Sequence, residues 1–191
     1  VDKMGNKVKY GLKNVHYALI TEAEDGSITF GTPERIYGAV NISLSPVGET
    51  SSFYADDEEY FTAIANNGYD GTLEMALISD GFKTGVLGET LDTKKVLIEK
   101  MDAEIKPFAL LFEFKGDAKG RRHILYYCKA KRPNVESSTK TSSIEVKTET
   151  LNLTSRNIPG KTDVKASTTF ETDATTYENW YSQVYLETAA A

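Results

Sequence analysis

Pro107-Phe108-Ala109-Leu110-Leu111-Phe112-Glu113-Phe114 is followed, after Lys115-Gly116-Asp117-Ala118-Lys119-Gly120, by Arg121-Arg122-His123-Ile124-Leu125-Tyr126-Tyr127-Cys128-Lys129-Ala130. This stretch decides the fold class. Two long runs rich in aromatic and branched residues, separated by a turn with two glycines, predict a β-hairpin. Successive strand side chains point to opposite faces. Phe108, Leu110, Phe112 and Phe114 therefore share one face, and Ala109 and Leu111 take the other. In the second arm Ile124, Tyr126 and Cys128 oppose Leu125 and Tyr127. A sheet that is apolar on both sides must be covered on both sides. Two covers are open here: the chain's own helix, or a neighbouring subunit.

Outward from this hairpin the texture stays the same, with short alternating runs broken by Gly, Asp, Asn and Pro, as in a mainly antiparallel β domain. Val15 to Ile20 and Ser27 to Phe30 flank Glu24-Asp25-Gly26, a favoured tight-turn sequence. Arg35 to Ser45 reads as one longer strand. Pro46-Val47-Gly48-Glu49-Thr50 then leads into Ser51 to Ala55 as a second hairpin with a protruding loop. Glu58 to Asn66 fits neither period and is open between a short helix and an irregular edge. Gly71 to Ile78 alternates as a strand, with Leu73, Met75 and Leu77 on one face. Ser79-Asp80 offers an N-cap for a short helix ending near Leu87-Gly88. Asn134 to Ser143 is a polar crossing, and Ile144 to Thr154 and Val164 to Phe170 are further strands with a turn at Asn157-Ile158-Pro159-Gly160. Thr175-Thr176-Tyr177-Glu178 reads as a capping box opening an amphipathic helix, whose Tyr177, Trp180, Tyr181 and Val184 should seal one side of the sheet.

The 191 residues, 40% of them hydrophobic, suit one domain with a substantial core. The formal charge of −6 argues against a protein that grips phosphate backbones. With the single cysteine, Cys128, no intrachain disulfide can form. Val1 to Gly5 has no apolar run like a signal peptide, and no stretch approaches the roughly 18 apolar residues of a membrane span. The expectation is a chain made and kept in a cytosol, in which the sequons at Asn41 and Asn152 carry no glycan.

Chemistry is hard to find. His16 and His123 lie inside strands without the paired spacing of a zinc site. Cys128 alternates with apolar neighbours, as a buried small hydrophobe does. Asp56-Asp57-Glu58-Glu59 lacks the spaced ligands and central glycine of a calcium loop and reads as a solvated acidic edge. No glycine-rich phosphate loop is present. Lys119, Arg121, Arg122, Lys129, Lys131 and Arg132 form a basic stripe that is either solvated or paired with acidic surface across a subunit contact. No catalytic residue, cofactor or metal is expected.

Several stretches carry a resemblance: Gly11-Leu12-Lys13-Asn14-Val15-His16-Tyr17-Ala18, Gly38-Ala39-Val40, Gly48-Glu49-Thr50 with Phe53-Tyr54-Ala55-Asp56, Pro107 to Phe114, Arg121 to Tyr126, and Asn179-Trp180-Tyr181. In these, and in order from about Gly11 to Glu187, the chain resembles the major tail tube proteins of long, flexible-tailed bacteriophages of Gram-positive hosts. The resemblance implies an antiparallel β-sandwich or barrel with a flanking C-terminal helix. It implies six copies in a ring, and rings stacked into a hollow tube through which DNA leaves the virion without sequence-specific binding. The implied partners are the chain itself and the tape measure, distal tail and terminator proteins. The implied location is the virion tail, with the host cytoplasm before assembly. One tube domain would fill residues 1–191, with a flexible N-terminal arm at about residues 1–13, and the closing Ala189-Ala190-Ala191 is not distinctive. Contacts between rings are expected at Lys13, Pro46, Val47, Gly48, Glu49, Thr50, Phe53, Tyr54, Asp56 and Asp57, on length, polarity and protrusion. The competing readings are a carbohydrate- or peptide-binding β-sandwich with a tyrosine platform and, last, a small enzyme with a barrel pocket.

Overall fold

A computed structural model describes residues 6–116, 118–137, 139 and 146–188. Among these the elements are β1 (Lys9–Glu22), β2 (Ile28–Phe30), β3 (Glu34–Arg35), β4 (Ala39–Pro46), β5 (Thr50–Ala55), β6 (Glu58–Ile64), β7 (Tyr69–Met75), α1 (Asp80–Gly85), β8 (Thr90–Leu91), β9 (Leu97–Ile98), β10 (Phe108–Gly116), β11 (Arg121–Ala130), β12 (Glu149–Arg156), β13 (Lys165–Ser167) and α2 (Ala174–Glu178). A 3-10 turn, Asn179–Tyr181, continues α2.

The hairpin that decides the fold forms as expected, with Leu111 opposite Ile124 and Phe114 opposite Arg121. It sits mid-sheet, in the order β2-β1-β10-β11-β12-β7-β4, with β3 added to β1 and β13 to β11. Neighbouring strands on this path are antiparallel. β1 and β4, far apart on the path, come back into contact, so the sheet curls over on itself. The result is the mainly β, antiparallel sandwich or barrel with a flanking C-terminal helix.

Both faces of the hairpin are dry. Phe108, Leu110, Phe112 and Leu125 meet Val15 and Tyr17 from β1, Leu73 and Met75 from β7, Leu151 and Leu153 from β12, and Phe82 and Val86 from the α1 region. Ala18, Ala109, Leu111, Ile124 and Tyr126 form a second cluster on the other face, closed by Ile158 and Trp180. Each large apolar side chain among them contributes about 1.5–3 kcal/mol on burial. The chain's own C-terminal segment thus supplies the second cover, and no neighbour is needed there.

Glu113 is 1% exposed, a carboxylate inside this apolar hairpin. It accepts from Lys13 Nζ at 2.9 Å and Arg122 Nε at 3.1 Å. Asn14 Nδ2 at 3.2 Å and the Tyr181 hydroxyl at 3.3 Å complete its shell. One carboxylate therefore ties β1, β10, β11 and the C-terminal segment together. Burial pushes its pKa up, but the hydrogen bonds from Lys13 and Asn14 and the charges of Lys13 and Arg122 outweigh this and hold it below the ordinary value. Cys128 is buried, and burial raises its thiol to about 12, which makes it inert packing.

Elsewhere the sequence reading needs correction. The run Arg35 to Ser45 is two strands, because Gly38 takes a φ of 76° and breaks it. Ser51 to Ala55 does not pair with β4 but with Glu58–Ile64, the segment open between helix and edge, which is a strand. β7 ends at Met75, and Leu77 is 68% exposed instead of sharing the face of Leu73 and Met75. α1 is capped by Ser79 as expected. α2 is capped by Asp173, whose carboxylate accepts from the Thr176 N–H at 3.0 Å; the expected box at Thr175 is not used, since the acid two residues earlier reaches the free N–H groups. α2 then tightens into the 3-10 turn that carries Trp180 into the second cluster. Lys9 to Lys13, expected in a flexible arm, instead pair with Glu113 to Gly116 in the sheet. Val1 to Gly5, Asp117 of the central turn, part of the Asn134 to Ser143 crossing, the start of the strand expected from Ile144, and Ala189 to Ala191 lie outside the described residues.

Candidate functional site

β4 and β7 pair up to Pro46 and Tyr69, where an ordinary hairpin would separate or turn. Here the ladder goes on. Val47 N–H donates to Gly68 O at 2.8 Å, Asn67 N–H to Val47 O at 2.7 Å and Ala65 N–H to Glu49 O at 3.0 Å. Thr50 then faces Ile64, and β5 and β6 run out to Ala55 opposite Glu58. Together they make one ribbon that leaves the sheet as a projecting arm. Gly48 makes the neck possible: a Cβ there would lie 1.8 Å from the Ala65 carbonyl oxygen. The tip is the two-residue turn Asp56-Asp57, with φ of 54° and 61°. Positive φ at both positions is what a hairpin turn matched to strand twist requires, and aspartate tolerates it better than most residues.

None of the described residues covers this arm. Phe53 and Phe61 face each other across the ladder, each 61% exposed, and Tyr54, Tyr60 and Ile64 are 65%, 75% and 79% exposed. Between Phe53 and Tyr54 the register slips, leaving Tyr60 as the extra residue of a bulge. Glu59 accepts from Ser52 Oγ at 2.6 Å and from Thr62 Oγ1, and these hydrogen bonds lower its pKa. Asp56, Asp57 and Glu58 are exposed. A two-stranded ribbon standing alone is marginal in water, and a clustered exposed apolar surface marks a contact site.

Of the residues expected at contacts, Val47, Gly48, Glu49, Thr50, Phe53, Tyr54, Asp56 and Asp57 fall on this one arm, and Pro46 ends β4 at its base. Lys13 does not join them. It sits in β1, paired with Glu113. The expectation missed the β6 side of the arm, although the rings of Tyr60 and Phe61 stand in the sequence opposite those of Phe53 and Tyr54.

The basic stripe is divided rather than continuous. Arg122 turns inward to Glu113, Arg132 pairs with Glu99 at 3.0 Å, and Lys129 lies over Tyr127. Lys119 and Arg121 instead border a cavity of about 520 Å³ beside the start of β1, with Lys9, Phe114, His123 and Phe170. Among the described residues no group of three or more His, Cys, Asp or Glu side chains could hold a metal ion. No helix among them is long and apolar enough to cross a membrane. No protein-family model matches the chain, and no curated protein matches it.

Proposed function

We propose that this chain is a structural subunit that assembles with copies of itself, forming stacked hexameric rings of a bacteriophage tail tube through which DNA passes. The arm of residues 47–68 carries the assembly part of this reading, because it is a folded ribbon whose large apolar side chains are left exposed by the described residues. The likeness of Gly11-Leu12-Lys13-Asn14-Val15-His16-Tyr17-Ala18, the hairpin and Asn179-Trp180-Tyr181 to tail tube proteins supports the tube part. Charge agrees with both, since a chain of −6 makes a poor grip for DNA.

Magnitudes bear on the form of assembly. Burying the arm's five large apolar side chains offers roughly 8–15 kcal/mol gross. Association itself costs about 4–15 kcal/mol. One arm on one neighbour is therefore weak, and repeated contacts around a closed set of copies are needed to hold it. The exposed rings of Tyr54 and Tyr60 favour a second reading, a sugar- or peptide-binding platform, but they do not line the cavity beside β1.

Negative-stain electron microscopy across a concentration series, with size-exclusion chromatography beside it, tests the proposal. Rings or hollow tubes are the expected result. A discrete monomer that retains a glycan or peptide and never associates would replace it with the binding-module reading.

A further inference from the structure

The cavity beside β1 is positive, and its cations keep capacity to bind. Lys9 lies over the Phe114 ring, Lys119 lies over the Tyr177 ring at 4.1 Å, and Arg121 Nε donates to Thr168 O at 3.0 Å. An aromatic face or one carbonyl does not use up the donors of an ammonium or a guanidinium. None of the described residues lining the cavity is acidic. His123, stacked on Phe112, adds a neutral wall; burial first, then the charges of Arg121, Lys165 and Lys9, hold its pKa down at about 4.

The arm tip is the complement: Asp56, Asp57 and Glu58 exposed together, with Tyr54 and Phe61 behind them. Direction matters too. β11, β12, β7 and β4 are successively antiparallel, so β4 runs toward the Arg121 end of β11. The arm that continues β4 thus leaves toward the end of the sheet where the cavity lies. Copies standing side by side in the same orientation present tip and cavity toward the same end. Complementary patches at different places on one chain make a head-to-tail contact, which closes into a ring or runs on as a filament.

We propose that the cavity bordered by Lys9, Lys119 and Arg121 receives the acidic arm tip, Asp56-Asp57-Glu58, of a second copy of this chain. This rests on the self-assembly reading and names the receptor for the arm. Phe114 and Phe170 line the same cavity and give the tip's aromatic neighbours an apolar surface to meet.

The test is charge exchange. A cavity variant carries Lys119→Glu and Arg121→Glu, and a tip variant carries Asp56→Asn, Asp57→Asn and Glu58→Lys. Each alone is expected to weaken association at least about tenfold, and the chain carrying all five changes to regain much of it. Thermal melting establishes that each variant folds. Zero-length carbodiimide coupling of mixed isotope-labelled and unlabelled wild-type chains gives a second readout, in which Lys9 or Lys119 joins Asp56, Asp57 or Glu58 between copies. Wild-type assembly with both variants unaffected and no such coupling overturns the receptor and leaves self-assembly standing. A cavity variant that loses binding of inorganic phosphate or a DNA oligonucleotide while assembling normally also overturns it. Wild-type protein that stays monomeric at every concentration removes both proposals together.

Discussion

Two hairpins in this chain are built alike and end in opposite surroundings. β10–β11 and β5–β6 are both antiparallel, both rich in aromatic rings, and both interrupted by a register slip. In the first, Leu110 and Leu111 are fully buried on opposite faces. In the second, every residue but Ala55 is exposed. The difference lies in what the rest of the chain brings to them. β7, β12 and the α1 region close one face of β10–β11, and the Trp180 turn closes the other. The β5–β6 ribbon continues past the edge of the sheet through its glycine neck, and none of the described residues covers it. Pairing makes a ribbon, but only cover makes it core, and an uncovered ribbon with large rings is a surface awaiting a partner.

The contrast can be broken most forcefully from the buried side. Leu110→Ala should destabilise the monomer by about 3 kcal/mol, since it removes a fully buried side chain and leaves a cavity between closed faces. Urea titration followed by circular dichroism measures it. Glu113→Gln comes next, at about 2–3 kcal/mol, because Arg122 and Lys13 lose the charge they were placed to meet. Acid should show the same group. Its folded pKa lies below the unfolded value, so its contribution is complete above about 4.5 and fades as pH falls through the lowered folded pKa. The Gln variant should lose that part of the acid sensitivity. If it melts like wild type across this range, the carboxylate is not the tie described above.

On the arm the effects on stability shrink while those on assembly grow. Gly48→Val puts atoms where the Ala65 carbonyl stands, so the neck must open. Assembly should fail, with the unfolding midpoint of the monomer close to wild type. Phe53→Ala with Phe61→Ala should change monomer stability by less than about 0.5 kcal/mol, the range of surface substitutions. The same pair should abolish higher-order species in light scattering. A large loss of monomer stability from this pair would mean the rings are packed after all.

Much of the sheet was legible in the sequence because period and turn chemistry agree. Phe108 to Phe114, Ile124 to Tyr126, the Asp25-Gly26 turn and the Ser79 cap all stand where local signals put them, but the register slip between Phe108 and Leu110 turns Cys128 to the face of Leu125 instead of that of Ile124 and Tyr126. The second hairpin was misread at its partner. Pro46-Val47-Gly48 resembles a turn, yet the backbone there stays extended and pairs with Asn67 and Gly68, which are distant in sequence. Glu58 to Ile64 has no alternating pattern because neither of its faces is buried, so the periodic signal that marks a strand is absent. The Glu113 cluster was hidden for another reason: its partners come from β1, β11 and the C-terminal segment, and no spacing in the chain announces that they will converge. The contact residues proposed on the arm were expected from its length and polarity, whereas the cavity beside Lys9 needs the fold to bring residues 9, 119 and 121 together.

Amide hydrogen exchange compares the two hairpins directly, on the same protein held dilute as monomer and concentrated as assembly. The account predicts that residues 47–68 exchange quickly in the monomer and become protected on assembly, while Phe108 to Ala130 is protected equally in both. Arm amides that exchange at the same rate in the two states would contradict it.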